Sequence, residues 1–311
     1  MTHFLNINNI SDLNKMVEEA IVLKANPFMF QTLGAQKTLV LLFFNASLRT
    51  RISTELAAKN LGMNVIVLNV SDAWQLEFED GIVMNLHTSE HIKEAAQVIS
   101  QYASIIGVRA FPSLSDKAKD QSEWVLNAFS NLASVPVINM ESATAHPLQA
   151  LADAITIAEH RQSQTPKVVL SWAPHPKALP HAVANSFVRM MQLQDVEFCI
   201  THPKGYDLDP NIIKDTPVFY DQEKALQNAD FVYVKNWSSF NNYGKILTPK
   251  TNWTMTQQKI GHAKFMHCLP VRRNVVVEDA ILDSVQSLCI EQSNNRTYAA
   301  QIVLKKMLES L

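Results

Sequence analysis

Short apolar runs rich in Val, Ile and Leu recur along the chain, separated by stretches of mixed polarity. Near-continuous runs of this kind are typical of strands that helices cover on both faces. They predict strands at Thr38–Phe44, Asn64–Val70, Ser104–Ala110, Pro136–Met140, Lys167–Ala173, Glu197–Thr201, Asp230–Lys235, Lys264–His267 and Ser287–Ile290.

The stretches between these runs carry apolar residues at three- and four-residue spacing, which predicts amphipathic helices. The predicted helices are Ile52–Leu61, Glu90–Tyr102, Gln121–Leu132, Pro147–Arg161, His181–Met191 and Asn295–Leu311. Alternation of strand and helix indicates parallel sheets built by right-handed crossovers. We therefore predict an α/β fold with two doubly wound parallel-sheet domains and an interdomain cleft. The expected domains are residues 1–146 and 147–291, with a C-terminal helix at about 292–311 that packs back on the first domain.

Composition narrows the class of protein. The chain has 311 residues, which is enough for two cores, and its 47% apolar and 18% charged residues are usual for a globular protein. A net charge of −2 with mixed signs indicates neither a nucleic-acid surface nor a membrane-binding tail. No run is long enough to cross a bilayer and no secretory signal is visible, so we expect a cytoplasmic protein.

Cysteine and glycine usage excludes several kinds of site. The 3 cysteines are widely spaced and form neither a disulfide framework nor a zinc pattern. The 7 glycines are scattered, so neither a dinucleotide-binding nor a Walker-type loop can be written. We expect no cofactor and no metal.

Polar motifs follow the predicted strands directly. They are Ser47–Arg51, Arg109, Glu141, His146–Gln149, His175, Lys235 and His267–Arg273. One or two such motifs could be ordinary polar residues of surface loops. Because the carboxyl ends of parallel strands lie at one edge of a sheet, the whole set predicts a single ligand site.

The first motif, Ser47-Leu48-Arg49-Thr50-Arg51, joins a buried strand to a predicted helix. The first N–H groups of a helix lack internal partners and carry partial positive charge. With two hydroxyls and two guanidinium groups at the same end, they could hold a phosphate. Taken alone, the motif could equally be a capped helix with solvated arginines.

The later motifs are also ambiguous one by one. His146-Pro147-Leu148-Gln149 could be a plain helix start, or an imidazole and an amide that grip a small planar substrate. The two arginines of His267–Arg273 favour contact with an anion, whereas Cys268 could be a small buried hydrophobe. Arg296 could be a solvated surface residue.

The order of these motifs resembles the aspartate/ornithine carbamoyltransferase family over nearly the full chain. The resemblance implies a homotrimer with active sites shared between neighbours, which binds carbamoyl phosphate in its N-terminal domain and an amino acid in its C-terminal domain. It also implies a carbamoyl phosphate site formed by Ser47, Leu48, Arg49, Thr50, Arg109, His146, Gln149, the backbone carbonyls of Cys268 and Leu269, and Arg296. Arg49, Arg109, His146 and Arg296 would be the catalytic groups.

Other segments of the sequence indicate which amino acid accepts the carbamoyl group. The Ser-Met-Gly segment of ornithine enzymes is absent, and the proline-rich turn Trp172–Val183 resembles the N-acylornithine branch of the family. Asp72-Ala73-Trp74, Met140-Glu141, Lys235–Trp237 and Leu269–Arg273 carry the same resemblance. It implies acylornithine contacts by Glu141, His175, Lys235 and Arg272, and contact of Trp74 with carbamoyl phosphate in the neighbouring subunit.

The acyl group is assigned from the loop that enters the neighbouring site. Succinyl-specific members carry a proline there and acetyl-specific members a glutamate, whereas this chain has Ser89 followed by Glu90. Ser89 is small and neutral, so the expected reaction is carbamoylation of the δ-amine of N-succinyl-L-ornithine in arginine biosynthesis. N-acetylornithine, free ornithine and a catalytically silent carbamoyl phosphate-binding relative stay as alternatives.

Overall fold

The computed structural model describes residues 1–70, 74–247 and 251–311. Asp72 and Ala73 of the Asp72–Trp74 motif lie outside the described residues. The described chain forms two parallel sheets with helices on both faces. No helix in these three ranges is both long and apolar enough to cross a membrane.

The first sheet has four parallel strands in the order β2-β1-β5-β6. Its strands are β1 (Thr38–Phe43), β2 (Asn64–Asn69), β5 (Ile105–Arg109) and β6 (Val137–Glu141), and a separate two-strand pair consists of β3 (Leu76–Glu77) and β4 (Glu90–His91). β1, β5 and β6 are almost wholly buried, because they lie inside the sheet or under the N-terminal segment. β2 is an edge strand with a largely exposed pattern.

The second sheet has five parallel strands in the order β11-β10-β7-β8-β9. Its strands are β7 (Lys167–Trp172), β8 (Glu197–Thr201), β9 (Val218–Phe219), β10 (Phe231–Lys235) and β11 (Lys264–Met266). Eight of the predicted strands, all except Ser287–Ile290, are thereby confirmed to within two residues at their ends.

The helices lie between the strands as the alternation predicts. They are α1 (Leu13–Ala25), α2 (Arg49–Asn60), α3 (Ile92–Tyr102), α4 (Lys117–Gln121), α5 (Trp124–Leu132), α6 (Pro147–His160), α7 (Ala182–Met191), α8 (Pro210–Ile213), α9 (Gln222–Leu226), α10 (Gln257–Ile260), α11 (Asp279–Leu282) and α12 (Cys289–Leu308).

Two predictions of secondary structure were wrong. Ser287–Ile290 is not a strand: Ser287 makes one isolated bridge to Phe265, and α12 begins at Cys289. A short apolar run does not distinguish a strand from the buried first turn of a helix. The helix predicted at Gln121–Leu132 is interrupted at Glu123, whose φ of 52° lies in the left-handed region. The Glu123 carboxylate accepts hydrogen bonds from the Ala143 and Thr144 backbone N–H groups, which hold it outside the helix.

The C-terminal helix connects the two sheets. α12 packs against α1, α2 and α6, and α6 packs in turn against α7. The largest core cluster accordingly contains Leu41 of β1, Leu151 of α6, Leu170 of β7 and Leu304 of α12. The shared core fixes the facing edges of the two sheets against each other.

Each sheet reverses its strand order once. In the first sheet β1 lies between β2 and β5, so the chain leaves β1 toward one side and returns on the other. In the second sheet β7 lies between β8 and β10 in the same way. The carboxyl ends of strands at such a switch point form a crevice where ligands bind in open α/β sheets.

Candidate active site

The N-terminus of α2 lies at the first switch point. α2 begins at Arg49, and the Ser47 hydroxyl accepts a hydrogen bond of 3.2 Å from the Thr50 backbone N–H. The register places Arg109, the last residue of β5, beside Phe43 at the end of β1. The N–H groups and partial positive charge of a helix N-terminus suit an anion at this point.

Arg296 of α12 reaches the same point from the C-terminal helix. One of its nitrogens, Nη2, donates to Thr50 Oγ1 at 2.5 Å, and the other, Nη1, donates to Gln149 Oε1 at 2.7 Å. Nη2 also lies 3.5 Å from Nε2 of His146. Arg296 is buried, so it is not a solvated surface residue.

An ion pair joins the ends of β5 and β6. Arg109 Nη2 donates to Glu141 Oε2 at 2.9 Å, and Arg109 Nη1 donates to the Ala46 carbonyl at 3.3 Å. Glu141 Oε2 also lies 3.4 Å from His146 Nε2. One buried carboxylate therefore contacts both a guanidinium and an imidazole at the switch point.

Several buried nitrogen atoms of this cluster have no hydrogen-bond partner among the described residues. Nε of Arg49, Arg109 and Arg296 and Nδ1 of His146 are buried and make no hydrogen bond with any described residue. Buried polar atoms in proteins are paired in the great majority of cases. An anion with several oxygens would satisfy guanidinium donors of this kind.

Burial sets the charge of the central groups. It lowers the pKa of His146 well below the usual 6.5, and Arg296 and Arg109 act in the same direction. Burial also raises the pKa of Glu141, against the opposing effect of Arg109. At neutral pH His146 is therefore a neutral imidazole, with one donor and one acceptor nitrogen.

The second switch point forms the facing wall of the cleft. Lys235 ends β10 beside Trp172, the last residue of β7, and His175 lies just beyond. Arg272 Nε donates to His175 Nε2 at 3.1 Å. Leu179 is one of several apolar side chains on this wall. The whole cleft has a volume of about 600 Å³, which is in the range of small-molecule sites.

Most of the predicted site residues come together in this cleft. Its walls include Ser47, Leu48, Arg49, Thr50, Arg109, Glu141, His146, His175, Lys235, Cys268, Leu269, Arg272 and Arg296. Gln149 lies behind the wall and reaches the cleft through its hydrogen bond to Arg296. The sequence prediction of a single site is in agreement with this grouping.

Three predicted residues lie away from the cleft of their own chain. Trp74 is half-buried and packs against the core cluster on the outer face of the first sheet. Ser89 is exposed, and its backbone N–H donates to the Gln75 carbonyl at 2.9 Å. Glu90 lies in β4 opposite Leu76 of β3. All three belong to one segment outside the first sheet.

The sequence prediction missed the apolar part of the cleft. Phe111 places its ring 4.4 Å from the Arg109 guanidinium, and Leu179, Pro180 and Val183 line the opposite wall. Their positions in the sequence were a usable signal, because Phe111 follows Arg109 by two residues and the other three belong to the proline-rich turn. Apolar side chains in loops carry no distinctive pattern, so they were not singled out.

Comparison with known proteins agrees with this architecture. Residues 2–159 match the family model described as aspartate/ornithine carbamoyltransferase, carbamoyl-P binding domain. Residues 180–307 match the model described as aspartate/ornithine carbamoyltransferase, Asp/Orn binding domain. The first match covers all four strands of the first sheet, and the second covers β8 to β11 of the second sheet, with β7 between the two matches.

Individual relatives agree over the full length. The chain is 47% identical to N-succinylornithine carbamoyltransferase of Bacteroides fragilis, with 100% of both chains covered. It is 36% identical to N-acetylornithine carbamoyltransferase of Xanthomonas axonopodis pv. citri, with 98% of this chain and 96% of the relative covered. A crystal structure of an N-acetyl-L-ornithine transcarbamylase variant, complexed with carbamyl phosphate and N-succinyl-L-norvaline, superposes with a TM-score of 0.90 at 35% identity, covering 99% of this chain and 100% of that one. The chain belongs to the aspartate/ornithine carbamoyltransferase family.

Proposed function

We propose that this protein transfers the carbamoyl group of carbamoyl phosphate to the δ-amine of N-succinyl-L-ornithine, giving N-succinyl-L-citrulline and phosphate. The observation that carries the proposal is the cluster of Arg49, Arg109, His146 and Arg296 at the first switch point, facing Lys235 and Arg272 at the second. N-succinylornithine carbamoyltransferase is the name of a relative at 47% identity. The reaction belongs to amino-acid biosynthesis, as a step toward arginine.

At the first switch point the phosphate would bind to Ser47, Leu48, Arg49 and Thr50 on the N-terminus of α2. Arg109 would contact both the phosphate and the carbamoyl oxygen, and Arg296 would close the cationic site. Free guanidinium Nε donors on Arg49, Arg109 and Arg296 support this assignment. His146, Gln149 and the backbone carbonyls of Cys268 and Leu269 would hold the carbamoyl group.

Catalysis follows from positioning and electrostatics. The δ-ammonium first loses a proton, and the neutral amine attacks the carbamoyl carbon. The C–N bond forms, the C–O bond to phosphate breaks with its electron pair leaving on the phosphate, and that phosphate takes up the proton which the attacking nitrogen releases. Fixed donors that face the developing oxyanion and the leaving phosphate lower the barrier, because they are already oriented before the reaction. Arg49, Thr50, Arg109 and His146 are the groups assigned to this role.

Charge balance favours the succinyl acceptor. Five cations line the cleft, Arg49, Arg109, Lys235, Arg272 and Arg296, and Glu141 is the one carboxylate among the described residues that line it. N-succinylornithine brings two carboxylates to this excess of positive charge, whereas N-acetylornithine brings one. Glu141, His175, Lys235 and Arg272 are the proposed contacts of the acylated amino acid.

N-acetylornithine is the second candidate acceptor, because relatives of that name are 36% identical to this chain. The Ser89–Glu90 segment decides between the two in our proposal. A small neutral Ser89 facing the acyl group of a neighbouring subunit leaves room for a second carboxylate, whereas a carboxylate at that position would repel it.

A homotrimer with shared sites is part of the proposal. Five apolar side chains are exposed on this side of the first sheet: Leu48 just before α2, Ile52 and Leu56 of α2, and Ile66 and Leu68 of β2. α2 packs against β2, so these exposed apolar side chains belong to neighbouring elements at the sheet edge. Exposed apolar patches of this kind mark contacts with other subunits. Trp74 and the Ser89–Glu90 segment would then reach the cleft of the neighbour.

The domain division and location complete the proposal. We assign residues 1–146 and the helix at 292–311 to the carbamoyl phosphate domain, and residues 147–291 to the acceptor domain. Packing of α12 against α1 and α2 supports placing this helix with the first domain, although α12 also packs against α6 of the second. A cytoplasmic location is consistent with Cys199, Cys268 and Cys289, which are all free thiols.

The test is phosphate release from carbamoyl phosphate with N-succinyl-, N-acetyl- and unmodified ornithine, together with the mass of the protein in solution by light scattering. We expect turnover with N-succinylornithine and a trimer. Binding of carbamoyl phosphate without turnover on any acceptor would favour the catalytically silent alternative.

A further inference from the structure

A buried carboxylate outside the cleft connects two of its walls. Asp153 lies in α6, one turn after Gln149, and its side chain is 0% exposed. Its Oδ1 atom accepts hydrogen bonds from Gln149 Nε2 and Gln292 Nε2, both at 2.7 Å. One oxygen thereby holds an amide from α6 and an amide from α12.

The carboxylate fixes which way each amide points. An ionised carboxylate only accepts hydrogen bonds, so both amides must turn their NH₂ groups toward it and their carbonyl oxygens away. The Gln149 carbonyl oxygen then accepts from Arg296 Nη1 at 2.7 Å. The Gln292 carbonyl oxygen accepts from the His267 backbone N–H at 2.9 Å. Each amide presents an acceptor to a group that forms a wall of the cleft.

The surroundings of Asp153 make its charge sensitive to pH. Arg296 of α12, Tyr233 of β10 and Cys268 after β11 are the charged and titratable groups that face it. Asp153 Oδ2 and the Tyr233 hydroxyl are both buried without a partner among the described residues. Burial raises the pKa of Asp153 to about 7, although the hydrogen bonds from Gln292 and Gln149 oppose the shift.

We propose that Asp153 is a positioning residue for carbamoyl transfer, which holds the Arg296 guanidinium through Gln149 and the His267–Leu269 backbone through Gln292. The role rests on the proposed function, because both walls are assigned to the carbamoyl phosphate site. Asp153 itself does not contact the substrate. Without the Asp153 carboxylate, nothing holds the orientation of the Gln149 amide, which can turn its NH₂ group toward the Arg296 guanidinium. Two donors would then face each other, and Arg296 would move away.

The test is binding of phosphonoacetamide, an unreactive analogue of carbamoyl phosphate, measured by calorimetry on the wild-type protein and Asp153→Asn. Asparagine keeps the shape and an acceptor oxygen but removes the charge. We expect about tenfold weaker binding at pH 8.5, because hydrogen bonds to charged groups are stronger than neutral ones. The ratio of the two dissociation constants should fall toward 1 at pH 6, where Asp153 of the wild-type protein is protonated.

This pH-dependent ratio separates positioning from general structural damage. Titration of the ligand affects both proteins equally and cancels in the ratio. Asp153→Leu removes the acceptor as well, so its kcat/KM for carbamoyl phosphate should fall by on the order of 10²-fold, as for a misplaced catalytic group. The KM for the acylornithine should stay unchanged, because neither amide contacts the acceptor wall.

Thr156→Val is the matched control. Thr156 lies one turn after Asp153, is buried, and accepts a hydrogen bond of 3.0 Å from Asn295 Nδ2 of α12. The substitution removes a polar contact between the same two helices without touching Gln149 or Gln292. We expect a lower Tm but an unchanged dissociation constant for phosphonoacetamide.

Two outcomes would overturn the inference. The first is a binding ratio for Asp153→Asn that stays at 1, or at any constant value, from pH 6 to 8.5 while the wild-type protein still transfers carbamoyl groups. If Asp153→Asn does not fold, Gln292→Met breaks one arm alone and should weaken binding by about fivefold. The second outcome that would overturn the inference is unchanged binding of phosphonoacetamide to Gln292→Met. A wild-type protein that binds the analogue but shows no turnover would contradict the proposed function and leave the binding ratio as the test of Asp153.

Discussion

The two ends of the cleft are built in different ways. At the carbamoyl phosphate end, Arg109, Glu141, His146 and Arg296 are buried and contact one another. At the acceptor end Arg272 is exposed, and among the described residues its side chain bonds only to His175, which is half-buried. The buried end holds its groups before a substrate arrives, whereas the open end has fewer fixed contacts. Substitutions at the carbamoyl phosphate end should therefore lower the rate strongly. Substitutions at the acceptor end should change the acceptor preference with a smaller loss of rate.

The largest effect should follow from Arg49→Ala at the buried end. Arg49 begins α2 at the proposed phosphate position, and its loss should lower kcat/KM by on the order of 10²–10³, as for removal of one preorganised donor. Phosphate release at saturating N-succinylornithine measures it. Arg51→Ala is the control, because Arg51 is exposed and pairs with Glu55 at 2.9 Å on the outer side of α2. Equal losses in both variants would contradict the phosphate assignment.

Glu141→Gln tests the centre of the buried end. The change keeps the shape but replaces a charged hydrogen bond to Arg109 with a neutral one, so kcat/KM should fall roughly 10- to 100-fold. Steady-state kinetics with both substrates would measure the loss. Near-wild-type kinetics would indicate that the ion pair is not needed to place the guanidinium.

Arg272→Met tests the open end. Loss of this cation should raise the KM for N-succinylornithine about tenfold and the KM for N-acetylornithine less, because an exposed charge contributes modestly. The adjacent Arg273→Met is the control, since Arg273 pairs with Asp279 at 2.9 Å and Asp283 at 2.7 Å away from the cleft. An equal rise for both acceptors would argue against contact of Arg272 with the succinyl carboxylate.

The smallest effect concerns stability against pH at the buried end. The folded-state pKa values of His146 and His267 lie well below 6.5, so the unfolded chain takes up protons first and stability falls as pH drops below 6.5. Asp153 acts in the opposite direction: its pKa of about 7 lies above the ordinary 3.8, so the folded state keeps a proton that the unfolded state releases.

Asp153→Asn removes this opposing contribution. Its Tm relative to the wild-type protein should therefore decrease as the pH is lowered from 8 to 5, by about 5 °C over that range. Differential scanning calorimetry at several pH values measures the difference. A difference in Tm that does not change with pH would mean that Asp153 has the same pKa in the folded and the unfolded state.

Much of the fold was predictable from sequence. Buried parallel strands produce uninterrupted apolar runs such as Leu39–Phe43, and their periodicity does not depend on distant contacts. Switch-point motifs were also visible, because Ser47–Arg51 follows the first strand and Lys235 ends a later one. The strand prediction at Ser287–Ile290 was wrong for a physical reason. Leu288 and Cys289 are buried at the start of α12, and a short buried apolar run has the same pattern in a helix and in a strand.

The connections behind the site were not predictable. Asp153 follows Gln149 by four residues, so its position on the same face of α6 could be read from the helix period. Its partner Gln292 is distant in sequence, at the start of the C-terminal helix expected at about 292–311, and no local pattern pairs the two residues. Taken alone, Arg296 could equally have been a surface residue, and only the resemblance to the family assigned it to the site; the packing of α12 against α2 and α6 buries it.

The most direct test of the account is a comparison of kcat/KM for N-succinyl-, N-acetyl- and unmodified ornithine at saturating carbamoyl phosphate. The five cations of the cleft predict that N-succinylornithine is the best acceptor, with N-acetylornithine second and ornithine last. Preference for unmodified ornithine would contradict the assignment of the acceptor end. Equal values for the two acylated substrates would show that the open end does not read the succinyl carboxylate.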